Sequence, residues 1–70
     1  MMVTRIYRVP EVSCQHCVQA ISEELRAIPG IREVEVDLVT KTVRVVAEDD
    51  VPDTRIREGI EAAGYAIAEA

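Results

Sequence analysis

Ile28-Pro29-Gly30-Ile31-Arg32-Glu33-Val34-Glu35-Val36-Asp37-Leu38 is the stretch that decides the fold. Its Pro29-Gly30 pair stops a helix, because proline cannot continue one and glycine tolerates the left-handed turn that follows. The remainder alternates: Val34, Val36 and Leu38 against Glu33, Glu35 and Asp37. A period of two with one apolar and one acidic set is a strand with one dry and one wet face. A helix that breaks straight into a strand is the second half of a βαβ unit.

Working outward toward the N-terminus, Val18, Ile21, Leu25 and Ile28 recur at three- and four-residue spacing. That spacing predicts a helix over 15–28 with one buried stripe and Ser13 as its N-cap. Before it, residues 3–9 read as a strand, with Tyr7 and Val9 on one face and Ile6 and Arg8 on the other. Pro10 closes that strand by removing a backbone donor.

Toward the C-terminus, Val39-Thr40-Lys41 reads as a hairpin turn into a strand over 42–47. Val43, Val45 and Ala47 face inward there, and Arg44 faces the acidic row of the preceding strand. A second helix begins between Val51 and Thr54, capped by Asp50 or Asp53, and buries Ile56, Ile60 and Ala63. Gly64 ends it, and residues 65–68 form a short last strand. The order is β-α-β-β-α-β over a single domain, 1–70. Right-handed crossovers fold it into an α+β, ferredoxin-like sandwich, a four-stranded antiparallel sheet with two helices on one face.

Composition excludes several functions. Of 70 residues 49% are hydrophobic, enough for one core, and none is Phe or Trp. A net charge of -5 opposes nucleic-acid binding, and the sheet lacks an aromatic platform for RNA bases. No apolar run is long enough to span a bilayer, and the N-terminus has no apolar signal region. The expected location is therefore the cytoplasm, with no membrane insertion. In that reducing compartment, Cys14 and Cys17 are ligands or redox groups rather than a staple.

Val12-Ser13-Cys14-Gln15-His16-Cys17-Val18 holds both cysteines and the one histidine. Cys14 lies in the loop before the predicted helix and Cys17 about a turn into it. A helix N-terminus offers unpaired N–H groups and partial positive charge, which stabilise thiolates. Thiolates select soft ions, Cu(I) first, and two of them satisfy Cu(I) but leave zinc short of its usual four ligands. Low coordination in an exposed loop also suits transfer, with release beginning at the mobile Cys14. His16 is read as a solvent-facing neighbour that tunes the thiolates or has no part, rather than as a ligand. Glu11 is read as a solvated loop charge. Tyr65 should lie at the same end of the sheet as the cysteines, and spacing alone leaves open whether it serves them.

The chain resembles the heavy-metal-associated domain family, which includes bacterial copper chaperones and the metal-binding domains of copper-transporting P-type ATPases. The resemblance is carried by Val9-x-x-Val12-Ser13-Cys14-x-x-Cys17, by Ile28-Pro29-Gly30-Ile31 with Val34-x-Val36, and by Ile60-Glu61-Ala62-Ala63-Gly64-Tyr65. It implies the ferredoxin-like fold, Cu(I) bound by Cys14 and Cys17, and delivery to a copper-transporting P-type ATPase or similar acceptor. It also implies Tyr65 beside the metal loop and Val12 packed beneath it. Glu11-Val12 stands where the family has Gly-Met, and Ser13 where zinc-handling members often place a carboxylate, which favours copper.

The expectation is thus a carrier without turnover, monomeric or bridged into a dimer by shared metal. Docking would use the cysteine loop with Gln15 and Gln19. The competing readings are a carrier of Hg(II), Zn(II) or Cd(II), and a thiol–disulfide redox protein.

Overall fold

Alternation and helical periodicity are realised as five elements in a computed structural model that describes residues 1–68. They are β1 (Met2–Arg8), α1 (Gln15–Arg26), β2 (Ile31–Asp37), β3 (Thr42–Glu48) and α2 (Asp53–Ala62). The sheet order is β1-β3-β2, and β3 pairs antiparallel with both neighbours. β1 and β2 are therefore parallel and one strand apart. The α1 crossover between them leaves the slot that the β2–β3 hairpin fills.

Register places Tyr7, Val43 and Val36 side by side across the sheet, and likewise Arg5, Val45 and Val34. The core lies between this face and the helices. Val43, Val45, Ala47, Ile21, Leu25, Ile56 and Ile60 are completely buried. On α1 the buried stripe is Cys17, Ile21 and Leu25, continued by Ile28, with Val18 half-buried at its margin. The stripe is thus rotated slightly from the expected one and carries a cysteine at its N-terminal end. Gly59 sits where α2 meets α1: a Cβ there would lie 2.8 Å from Leu25 Cδ2. A glycine in mid-helix lowers intrinsic helix stability, and this close approach is what it makes room for.

The opposite sheet face is open. Ile6 is 65% exposed there, and Arg44 reaches Glu35 at 3.3 Å and Glu33 at 3.5 Å, as the alternation predicted. Such exposed pairs contribute little to stability.

Three expectations are corrected. The N-cap of α1 is Cys14, not Ser13, because the chain stays extended at Cys14 (φ -154, ψ 172). The N-cap of α2 is Pro52 rather than Asp50 or Asp53. Asp53 is instead the first helical residue, and its carboxylate accepts the Tyr7 hydroxyl at 2.5 Å. Burial, and then this carboxylate, push the Tyr7 phenol well above its ordinary pKa.

The expected fourth strand is, among the described residues, a single antiparallel bridge between Ala68 and Arg8 on the free edge of β1. Backbone donors explain the shortfall. Tyr65 N–H still serves the end of α2, bonding to the Ile60 carbonyl, and Ala66 N–H bonds to the Glu11 side chain. Ala68 N–H, bonded to the Arg8 carbonyl at 2.8 Å, is the first of the three to reach β1. Among the described residues no helix is long and apolar enough to cross a membrane.

Candidate metal site

Three chain segments converge at one end of the sheet: the β1–α1 loop, the β2–β3 turn, and the segment after α2. The loop leaves β1 under tight control. Val9 N–H bonds to the Lys41 carbonyl at 2.8 Å, and Val12 N–H turns back to the Val9 carbonyl at 3.1 Å. The side chains of Val9 and Val12 are completely buried. Val12 is thus anchored in the core at the entry to the cysteine loop.

Lys41 lies at the end of the hairpin turn. Asp37 Oδ1 orders that turn by accepting the N–H groups of Val39 (2.8 Å) and Thr40 (3.1 Å). The Lys41 ammonium then reaches across to the Val12 carbonyl at 2.7 Å. On the other side, Ala66 N–H bonds to Glu11 Oε1 at 3.4 Å. Glu11 is therefore not merely a solvated charge: it ties the segment carrying Tyr65 to the loop carrying Cys14.

The two cysteines are free thiols with their sulfurs 3.7 Å apart. A metal–thiolate bond is about 2.3 Å, so one ion can touch both. Cys14 caps α1, its carbonyl accepting the N–H groups of Cys17 (3.1 Å) and Val18 (3.3 Å). Its side chain is exposed, whereas Cys17 is only 5% exposed and belongs to the core.

The environment favours the Cys17 thiolate. The Tyr65 hydroxyl hydrogen-bonds to its sulfur, and so do the backbone N–H of Ser13 and the backbone and thiol of Cys14. These outweigh burial and bring the thiol from 9.0 down to about 6. The same contact raises the Tyr65 phenol, first through the hydrogen bond to Cys17 and then through burial. His16 is exposed on the first turn of α1. Among the described residues no set of three or more His, Cys, Asp or Glu side chains could hold a metal, so the donors they offer at this site are the two thiols.

Ser13 enters through its backbone rather than as a cap. Lys41 and Glu11 are the contributors that sequence reading missed. The one available signal for Lys41 is its place in a hairpin turn that lacks the usual glycine or asparagine.

A β-α-β-β frame closed by a second helix, with a dithiol at the N-terminus of its first helix, defines a small metal-carrying class of α+β domain. The chain belongs to the heavy-metal-associated domain family, whose pattern matches residues 6–66. It is 34% identical to the copper chaperone CopZ of Staphylococcus haemolyticus over 67 residues, 94% of this chain and 98% of that one. It is equally identical to the mercuric reductase of Acidithiobacillus ferrooxidans over 56 residues, 80% of this chain but only 10% of that enzyme. The solved structure of a CopZ metallochaperone superimposes with a TM-score of 0.90 at 30% identity, covering 94% of this chain and all of that one. The Atx1–Cu(I)–Ccc2a complex contains a chain with TM-score 0.80 and 29% identity, covering 93% of this chain and 90% of that one.

Proposed function

We propose that this chain is a Cu(I) carrier of the bacterial copper-chaperone type, acting as a single domain over 1–70 and without turnover. The observation that carries the reading is the dithiol itself: two sulfurs 3.7 Å apart at a helix N-terminus, with no third ligand group among the described residues. Two thiolates suit a soft ion of low coordination and leave zinc undersupplied. Similarity to CopZ along almost the whole of both chains supports copper as the cargo.

The unequal burial of the two sulfurs supports an order of transfer. Cys17, whose thiol is lowered to about 6, is fixed to the core, and Cys14 is exposed on the loop. An incoming acceptor thiolate joins Cu(I) from the Cys14 side. Cys14 then leaves, and Cys17 is the last ligand released. The acceptor is the metal-binding domain of a copper-transporting P-type ATPase in the cytoplasm. The Atx1–Cu(I)–Ccc2a complex supports this, Ccc2a being a yeast copper transporter domain. The free chain is a monomer, and a dimer forms only where two dithiols share the ion.

An anaerobic titration against a Cu(I) chelator tests the reading. The parent should bind one Cu(I) per chain, and Cys14→Ala and Cys17→Ala should each lose it; tight binding by either variant refutes the assignment. A mercury reading is favoured by the mercuric reductase relative. It predicts that Hg(II) is retained while Cu(I) is surrendered to the chelator.

A further inference from the structure

The Val12–Ser13 peptide, at the entry to the cysteine loop, is held by a group that neither motif nor family pattern brought to it. Its carbonyl accepts the Lys41 ammonium at 2.7 Å, and its N–H belongs to Ser13, the residue before Cys14. A peptide group is planar, so fixing the direction of the C=O fixes the direction of the N–H opposite it. We propose that Lys41 is a positioning residue, which fixes the orientation of the Val12–Ser13 peptide and thereby the start of the loop that carries Cys14. This rests on the reading above that Cys14 and Cys17 hold the cargo.

Three observations carry it. First, Lys41 grips the loop twice, through its own carbonyl on Val9 N–H at 2.8 Å and through its ammonium on the Val12 carbonyl. Both grips come from a segment 29 residues away in sequence. Second, the contact is partly buried, where a charged hydrogen bond is stronger and water replaces it poorly. Third, Lys41 has φ 62, and it is the one non-glycine residue among those described with positive φ. That conformation favours glycine or asparagine. A lysine there sacrifices backbone stability, and the contact its side chain makes accounts for its presence.

This conformation gives a test in which stability and metal binding move in opposite directions. Lys41→Gly relieves the backbone and removes the ammonium. Its unfolding midpoint should equal or exceed the parent's. Its Ser13 amide should exchange with solvent about tenfold faster in the metal-free protein, and its Cu(I) affinity against the chelator should fall about tenfold. Lys41→Arg, which restores a cation, should recover most of both losses. Unchanged Ser13 exchange and Cu(I) affinity in Lys41→Gly would overturn the proposal. So would core amides accelerating together with Ser13, since that marks a general structural role. If Cys14→Ala and Cys17→Ala keep Cu(I), the carrier reading fails instead, while Ser13 exchange in the metal-free protein still decides the positioning role.

Discussion

Replacing Tyr65 by phenylalanine removes one oxygen from the site and keeps the ring, which packs against the core. The opposing effect of burial on the thiol therefore persists, and only the hydroxyl's hydrogen bond to sulfur is lost. In the parent four favourable contacts act against burial to lower Cys17 from 9.0 to about 6, and the Tyr65 hydroxyl is the largest. Losing the largest of the four should therefore raise the Cys17 thiol above the parent's value of about 6. At neutral pH the thiolate fraction should fall measurably below the parent's roughly nine-tenths.

Ultraviolet thiolate absorbance followed through a pH titration of the metal-free protein reads this directly. The pH profile of alkylation after mild loosening of the fold gives a second measure. Because protons compete with metal for the sulfur, the Cu(I) affinity of Tyr65→Phe should drop more on acidification than the parent's. A Tyr65→Phe thiol that titrates with the parent's midpoint would refute the reasoning and leave Tyr65 as packing alone.

Two further predictions concern stability. Cys17 has a lower pKa folded than unfolded, so the unfolded chain binds its proton more tightly. The stabilisation is complete above pH ~9 and is lost as pH falls through ~6. Urea midpoints of the metal-free parent should therefore rise across that window, and Cys17→Ala should flatten the slope. Gly30→Ala should lower stability by about 2–4 kcal/mol in denaturant titration, combining left-handed strain with overpacking. Gly30 has φ +96, and a Cβ there would lie 2.5 Å from Val51 Cγ2. Because Gly30 lies at the far end of α1, the folded fraction should keep its full Cu(I) capacity.

The fold was legible where burial imposes a period. Val34 and Val36 against Glu33 and Glu35 gave the wet and dry faces of β2, and Ile21, Leu25, Ile56 and Ile60 gave the helix faces. Pro29-Gly30 marked the break between α1 and β2 because the chain there needs positive φ. The last strand was less legible, since apolar residues at 65–68 say nothing about which acceptor each backbone N–H will take. Two of those donors go to the end of α2 and to Glu11 before β1 is reached.

For the site, the cysteine spacing and the helix start were enough to pick out Cys14 and Cys17 as a pair. Lys41 and Glu11 were not legible, because each acts on the backbone of a segment remote in sequence, and a lysine or glutamate in a loop ordinarily reads as solvent-facing. Glu11 in place of the family's glycine acquires a physical account here: its carboxylate is the fastening between the cysteine loop and the Tyr65 segment.

The unequal exposure of the two sulfurs has a chemical consequence. An electrophile or oxidant arriving by diffusion does best against a thiol that is both anionic and reachable, and in this protein the thiol whose pKa is lowered is not the one solvent meets. The Cys17 sulfur is buried in the core, and solvent meets Cys14 instead. Stray modification is thereby discouraged without weakening the nucleophile. Only a surface shaped to press the loop aside reaches the more reactive atom, so selectivity against small reagents is built into the packing rather than into the chemistry of sulfur.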